Sequence, residues 1–395
     1  MLEGVKVVEM AAYIAGPVAA GMMCDWGADV IKVEAPGGDA IRWNRPALKP
    51  GGWNPTFDAD NRGKRSIVVD LRKPEGAAVL RKLIEGADVF ITSLRPRILS
   101  RAGFDYESVR AWKPDLIYAS VTGYGLTGPF ADTPAFDITA FWARSGIAGQ
   151  MTAATGAPPS GRAGMGDHIT GLSTALGVMT ALFARTRTGK GQLVESSLLR
   201  TGAHILGYDL SDQIRRGETT PAPHRGHDGR ISVHYRAAAG RWFSIWAHDL
   251  AKDWPIIFRA AGRPDLAEDE RMQTPEGRDA RAAEVMAALE AGFAKRELED
   301  IGRDLEAEGL IWSPVLTAGE VLVDPAHLAA GNLVEMDDGE GGTMLSPAGP
   351  VRFPGAESGR KGASPSPGQH TDAILSELGY GAADIAAMRQ AQAVG

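Results

Sequence analysis

Two carboxylates stand in places where chemistry is conceivable. Asp167 lies in "GMGDHITG", between glycines and just ahead of a long run of small and apolar residues. Asp137 lies in "TPAFDITAF". Either side chain, read alone, is an N-cap, accepting from the free N–H groups that open a helix. The other reading of Asp167 is a nucleophile on a glycine-lined turn that a bulky substrate can approach. Basic residues form a second set: Arg62, Lys64, Arg65, Arg72, Arg95, Arg97 and Arg101. They fall near the ends of predicted strands, where guanidinium and ammonium groups suit a phosphate-bearing ligand.

Other chemistries leave no trace. No G-x-S-x-G nucleophile elbow is present. The eight histidines lack metal-ligand spacing; His224, His227 and His234 gather near Asp228, a cluster more in keeping with a solvated linker. The turn "AAYIAGPVAAG" departs from the dinucleotide fingerprint, because Pro17 fills a place where a backbone N–H is wanted. The "GKG" at 189–191 lacks phosphate-loop spacing. We therefore expect no metal and no permanently bound cofactor.

The elements that must position these residues alternate through the first 125 residues. "VKVVEM", "DVIKVE", "SIVVDL", "DVFIT" and "LIYASV" are strand-like, and "PVAAGMMCDWG" and "PEGAAVLRKLIEGA" are helix-like. Such alternation predicts βαβ units and a largely parallel sheet. Helices are predicted over 137–149 and 168–187, and a long helical stretch over "LVESSLLRTGAHILGYDLSDQIRR". Composition changes at "GETTPAPHRGHDGR", a linker, after which "ISVHYRAAAGRWFSIWA" reads as a β-hairpin. The expected organisation is a large domain over 1–216, a smaller α+β domain over 217–325, and a segment 326–395 returning to the large domain.

The chain has 395 residues, 44% of them apolar, with a formal net charge of −7. That balance argues against nucleic acid as partner. A local basic patch is still enough for a small anion. The single cysteine, Cys24, excludes an intramolecular disulfide and fits a buried packing role in a reducing compartment. No targeting segment or apolar run of membrane-spanning length is seen, so the expectation is a cytoplasmic protein without membrane partners.

"LEGVKVVEMAAYIAGPVAAGMMCDWGADVIKVEAPGGD", "NRGKRSIVVDLRKPEG", "VTGYGLTGPFADTPAFD", "GDHITGLSTALGVMTALFARTRTGKGQLVESSLL" and "SPVLTAGEVLVDP" together resemble the family III CoA-transferases. These include formyl-CoA transferase and the carnitine and bile-acid CoA-transferases, and they share a fold with the α-methylacyl-CoA racemases. The resemblance implies a Rossmann-like large domain built from both ends of the chain, a small domain and an interlocked homodimer. It places the nucleophilic aspartate at Asp167 and an active-site acid at Asp137, beside Phe136. It also implies CoA contacts at Ile14 and Ala15, at Val69, Asp70, Leu71 and Arg72, at Ser93, Leu94 and Arg95, and at Arg101. An arginine that formyl-CoA transferase carries is replaced by Ala35 or Pro36, and a glycine-run shielding loop is not evident near 225–240.

The racemases resembled here use a histidine and an aspartate to move protons. The histidine's place is taken by Phe136, whose ring can neither accept nor donate a proton. The expected activity is therefore transfer of CoA from an acyl-CoA donor to a carboxylic acid acceptor. Racemisation and an inactive CoA-binding scaffold are the alternatives. Phe136, Phe141 and Trp142 favour an apolar 2-hydroxyacyl or arylacryloyl group; Arg144 leaves short dicarboxylates open.

Overall fold

The computed structural model describes residues 1–44, 54–152, 156–218, 233–338, 341–356 and 362–395. The chain divides into two compact units. One gathers Met1–Thr152, Pro158–Thr220 and Gly331–Gly395; the other comprises Pro221–Ala330 with Ala153–Ala157.

The first unit is an α/β layer structure. Its strands are β1 (Lys6–Met10), β2 (Asp29–Glu34), β3 (Arg65–Val68), β4 (Val89–Thr92), β5 (Ile117–Thr122) and β6 (Gln192–Ser197). They form one sheet in the order β3-β2-β1-β4-β5-β6, with every pairing parallel. The strands are short and rich in Val and Ile, and β4 and β5 are buried along their whole length, as strands covered on both faces must be. The direction of winding reverses between β1 and β4. Loops leaving the carboxyl ends of those two strands therefore diverge and open a crevice.

The helices are α1 (Ala15–Asp25), α2 (Pro55–Asn61), α3 (Pro74–Glu85), α4 (Pro96–Ala102), α5 (Tyr106–Trp112), α6 (Ile147–Gln150), α7 (Met165–Thr188), α8 (Leu198–Ile205) and α9 (Gly207–Arg216). Helix α1 is buried at every residue and packs against α7. At the crossing, a Cβ on Gly171 would stand 2.7 Å from the Ala15 carbonyl oxygen, so only glycine admits this approach. The "HITGLSTALGV" composition is thus a packing requirement. Carbon-rich neighbours Ala19, Met23, Ala175 and Val178 complete that core, which also holds the buried Cys24.

Two predicted elements differ. Residues 192–197 are strand β6, not the start of a helix. Their first four residues are exposed or half-buried, which suits an edge position, and pairing with β5 along six residues supplies hydrogen bonds that local propensity does not reveal. Residues 138–144 are a π-helix, a wide turn, followed by the short α6.

The C-terminal segment closes over β3. Val394 bridges Val69, the Asp70 amide donates to the Ala393 carbonyl at 2.9 Å, and helix Thr371–Glu377 adjoins β3. A small antiparallel hairpin of β10 (Leu333–Asp337) and β11 (Thr343–Pro347) belongs to the same unit. The second unit carries the expected hairpin, β7 (His234–Arg236) and β8 (Trp242–Trp246), extended by β9 (Ile311–Pro314). Helices Leu250–Ala260, Ala282–Phe293 and Leu298–Ala307 enclose its own core around Tyr235, Phe243 and Phe293. His224, His227 and Asp228 lie outside the described residues.

Candidate active site

Neither aspartate caps a helix with its side chain. Gly164 occupies the N-cap position on α7, and Asp167 is the third helical residue. Asp137 has helical backbone angles and caps nothing with its side chain. Its carboxylate instead reaches across to accept from the Gly164 amide at 2.8 Å. Gly164 is the hinge of the arrangement. Its φ of +87° lies in the region that side chains avoid, and its amide and carbonyl face different partners. The amide holds Asp137; the carbonyl accepts from the His168 backbone N–H at 2.9 Å and lies 2.8 Å from its ring Nδ1.

The opposite ring nitrogen, Nε2, stands 3.2 Å from Oδ1 of Asp60 at the end of α2. Three carboxylates thus converge on the first turn of α7: Asp60 and Asp137, both buried, and the partly buried Asp167. Among the described residues, the Asp167 carboxyl makes no hydrogen bond of its own, whereas the other two are engaged. Burial, with the like charge of Asp137 second, pushes the Asp167 carboxyl up to about 7; the adjacent His168 pulls the other way. His168 itself is raised to about 9, chiefly by its hydrogen bond to Asp60. The amides of Gly166 and Asp167 belong to the first turn, where a helix has no acceptor for them, and a developing oxyanion is their natural partner.

The loop after β1 forms the facing wall. Tyr13 has φ +65°, unusual for a non-glycine residue, and its amide donates to Asp39 at 3.1 Å. Its ring meets Phe136 edge-to-face at 5.0 Å. Ile14 approaches Gly164, and the Ala12 amide donates to Ser93 Oγ at 3.0 Å, joining this loop to the one after β4. Ile14, Ser93, Phe136, Asp137 and Asp167 are therefore brought together at the switch point. Ala15 and Val69 are buried, and the Val69 amide donates to the Glu34 carbonyl at 2.8 Å. Asp70 and Arg72 pair with each other at 2.8 Å at the end of β3, two strands away, with Arg72 solvent-facing; Leu71 lies between them. Leu94 is partly buried and Arg95 exposed, its guanidinium 3.4 Å from the Asp132 carbonyl; Arg101 is exposed on the last turn of α4.

The basic set divides. Arg62 is buried against Asp25. Lys64 is buried and donates to Glu9 at 2.6 Å, to Asn61 at 2.9 Å and to the Pro17 carbonyl at 2.9 Å. Arg65 pairs with Asp29 and Glu377 at 2.7 Å each. These three hold the fold, and a phosphate ligand is left with Arg72, Arg95, Arg97 and Arg101. The aromatic set divides likewise. Phe141 is buried beside Gly166 and Trp142 sits half-buried against Gly161, whereas Phe136 is 52% exposed. Arg144 stacks on Phe130, 3.8 Å from the ring centre.

Asp60 and His168 are not among the site residues expected from the sequence. Nor are Glu9 and Lys32. Lys32 donates to Glu9 at 2.8 Å and to the Ala11 carbonyl at 3.0 Å, and lies 2.9 Å from Asp39, so this buried cluster anchors the β1 loop from beneath. Charged residues inside predicted strands were the one available signal, since an unpaired charge is not tolerated there.

A six-stranded parallel sheet with reversed winding, carrying a cluster of carboxylates at the switch point, defines an α/β enzyme that handles its ligand at the carboxyl edge of the sheet. The profile of CoA-transferase family III matches residues 2–371, and the chain belongs to that family. It is 31% identical over 387 residues to the (R)-2-hydroxy-4-methylpentanoate CoA-transferase of Clostridioides difficile, covering 96% of both chains. It is 33% identical over 397 residues to the cinnamoyl-CoA:phenyllactate CoA-transferase of Clostridium sporogenes, covering 96% of this chain and 94% of the other. The crystal structure of a CAIB/BAIF family protein from Brucella suis superposes with a TM-score of 0.86 at 32% identity, covering 95% and 99% of the two chains.

Proposed function

We propose that this enzyme moves CoA from an acyl-CoA to a carboxylic acid through covalent intermediates on Asp167. The observation that carries the reading is the state of that carboxyl. It is partly buried, its neighbours are committed to other partners, and its own lone pairs are free of hydrogen bonds among the described residues.

An Asp167 oxygen attacks the donor thioester carbonyl carbon. The C–S bond breaks, CoA leaves as thiolate, and a mixed anhydride remains. The thiolate then attacks Asp167 Cγ and expels the donor acid as carboxylate, leaving an aspartyl-CoA thioester. The acceptor carboxylate attacks the same Cγ and releases thiolate again. Attack of that thiolate on the acceptor carbonyl forms the new acyl-CoA and returns Asp167. No oxidant, metal or permanently bound group enters, and the thioester's energy is conserved from donor to acceptor. Asp137 organises the turn by holding Gly164.

CoA spans the carboxyl edge of the sheet in this reading. The thioester end lies at Ile14, Ala15, Ser93, Leu94 and Phe136, and the phosphate-bearing end lies toward Arg72, Arg95 and Arg101. The Val69–Arg72 turn is two strands from β1, about 10 Å at the usual strand spacing, which a CoA molecule bridges. Exposed Phe136 and its partner Tyr13 supply an apolar edge for the acyl group. That favours 2-hydroxyacyl or arylacryloyl substrates, the kinds named for the two relatives above, over small polar acids. Leu172, Leu176 and Phe183 of α7 are 40%, 68% and 64% exposed, an apolar stripe that supports assembly as an interlocked homodimer. A reducing, cytoplasmic setting fits a single cysteine, Cys24, which is buried.

Intact-protein mass spectrometry after mixing with cinnamoyl-CoA, acetyl-CoA or succinyl-CoA tests the mechanism. A CoA-sized adduct that maps to Asp167 and vanishes in Asp167→Ala is expected. Absence of an adduct with all three donors would instead fit a non-catalytic CoA binder. Deuterium wash-in at the α-carbon without any acceptor acid would mark a racemase. A panel of phenyllactate, 2-hydroxy-4-methylpentanoate and succinate then identifies the acceptor class.

A further inference from the structure

Asp60 and His168 take no part in the steps above, yet both ring nitrogens of the half-exposed His168 meet oxygen atoms. The Gly164 carbonyl can only accept, so the ring nitrogen 2.8 Å from it must donate. The other nitrogen lies 3.2 Å from a carboxylate oxygen, again an acceptor. With Nε2 protonated as well, the ring is an imidazolium, the form that Asp60 beside it favours. It occupies the first turn of α7, where the helix dipole disfavours a cation, so the partners rather than the helix hold its charge. Asp60 is fixed in turn from behind. Its neighbour Asn61 accepts from buried Lys64 at 2.9 Å and donates to the Phe57 carbonyl at 2.9 Å.

We infer that the Asp60–His168 ion pair is a positioning device that keeps the Asp167 carboxylate ionised and reactive among its acidic neighbours. The groups facing Asp167 are Asp137 from the start of the π-helix, Asp60 from α2 and His168 from α7 itself; Lys64 lies behind Asp60. The two carboxylates oppose its ionisation, and the His168 imidazolium favours it. With His168 charged, Asp60 and His168 together are neutral, and Asp167 feels Asp137 alone. Without that charge, Asp60 becomes a second uncompensated anion.

The inference rests on Asp167 being the nucleophile, and the test separates the two. The rate of CoA-adduct formation on Asp167 is followed by mass spectrometry from pH 5.5 to 9.5, with whichever of the three donors labels the wild type. His168→Asn should move the midpoint of the acid limb upward by about one pH unit, an approximately tenfold slower reaction at pH 6.5 that closes by pH 9. Adding Asp60→Asn to His168→Asn should bring the midpoint back, because both charges are then gone. His168→Lys, which retains a cation, should stay near wild type. Thermal melts confirm that each variant is folded. If the wild type forms an adduct but the midpoint is the same in all variants, or the double variant is simply worse than either single one, the inference is wrong and the nucleophile stands. If the wild type forms no adduct with any donor, both fall.

Discussion

Two groups of buried charge lie back to back in the large unit, and they behave in opposite ways. In the Glu9–Lys32–Lys64 group, burial alone would lift the Glu9 carboxyl, but two ammonium groups outweigh it and hold it below its ordinary range. In the Asp60–Asp137–Asp167 group burial first and the like charge of Asp137 second push Asp167 up to about 7, and the one imidazolium does not offset them. Burial raises the carboxyl in both places, yet fully buried Glu9 is held low by its two ammonium partners and partly buried Asp167 stays near its titration point. Cation count distinguishes the two. The contact between the groups is Asn61, adjacent to Asp60 and bonded to Lys64, so the rigid cluster serves as the floor of the reactive one.

The largest effect should come from the reactive group. Asp167→Ala should lower kcat/KM by roughly a thousandfold or more with the fold intact, as loss of a covalent nucleophile does; activity within tenfold of wild type would remove the reactive role from this group. In the anchoring group, Glu9→Gln leaves two ammonium groups buried without their shared partner. A loss of about 3–5 kcal/mol in urea unfolding is expected, and a loss under 1 would mean that the cluster is not an anchor. A smaller change tests the carboxylate excess. Asp137→Asn keeps an acceptor for the Gly164 amide but removes the like charge, so the acid limb of kcat/KM should move down by about half to one pH unit. An unmoved limb would show that burial alone tunes Asp167.

The smallest effect is a stability difference with pH. The raised Asp167 value means that the folded protein holds this proton more tightly than the unfolded chain, whose carboxyl titrates near 3.8. Its contribution to stability is present at low pH and is lost as pH rises through about 7. Melting temperatures of wild type and Asp167→Asn should therefore agree best near pH 4 and diverge by pH 8.5, with the variant a few degrees higher. The reverse order at pH 8.5 would count against an excess of negative charge at the site.

Much of this was legible in the residues. Short Val- and Ile-rich runs alternating with helical ones dictate a parallel sheet, and "GMGDHITG" followed by small residues marks the turn that carries Asp167. Local pattern carried no trace of the strand at 192–197, whose hydrogen bonds come from β5 more than 70 residues earlier in the chain. Nor could it separate the basic residues that hold the fold from those that face solvent. Arg62, Lys64 and Arg72 sit within eleven residues of one another, yet only Arg72 is exposed.

The residue types and their order determined by themselves the α/β class, the family and the presence of a carboxylate on a glycine turn. Tertiary structure alone decided that Asp137 holds Gly164, that Asp60 holds His168, that Lys32 and Lys64 share Glu9, and that Phe136 faces outward while Phe141 does not. The reason is physical. Helix and strand periodicity express a residue's immediate neighbours, whereas the charge state of a buried group depends on partners that arrive only when distant segments fold against one another.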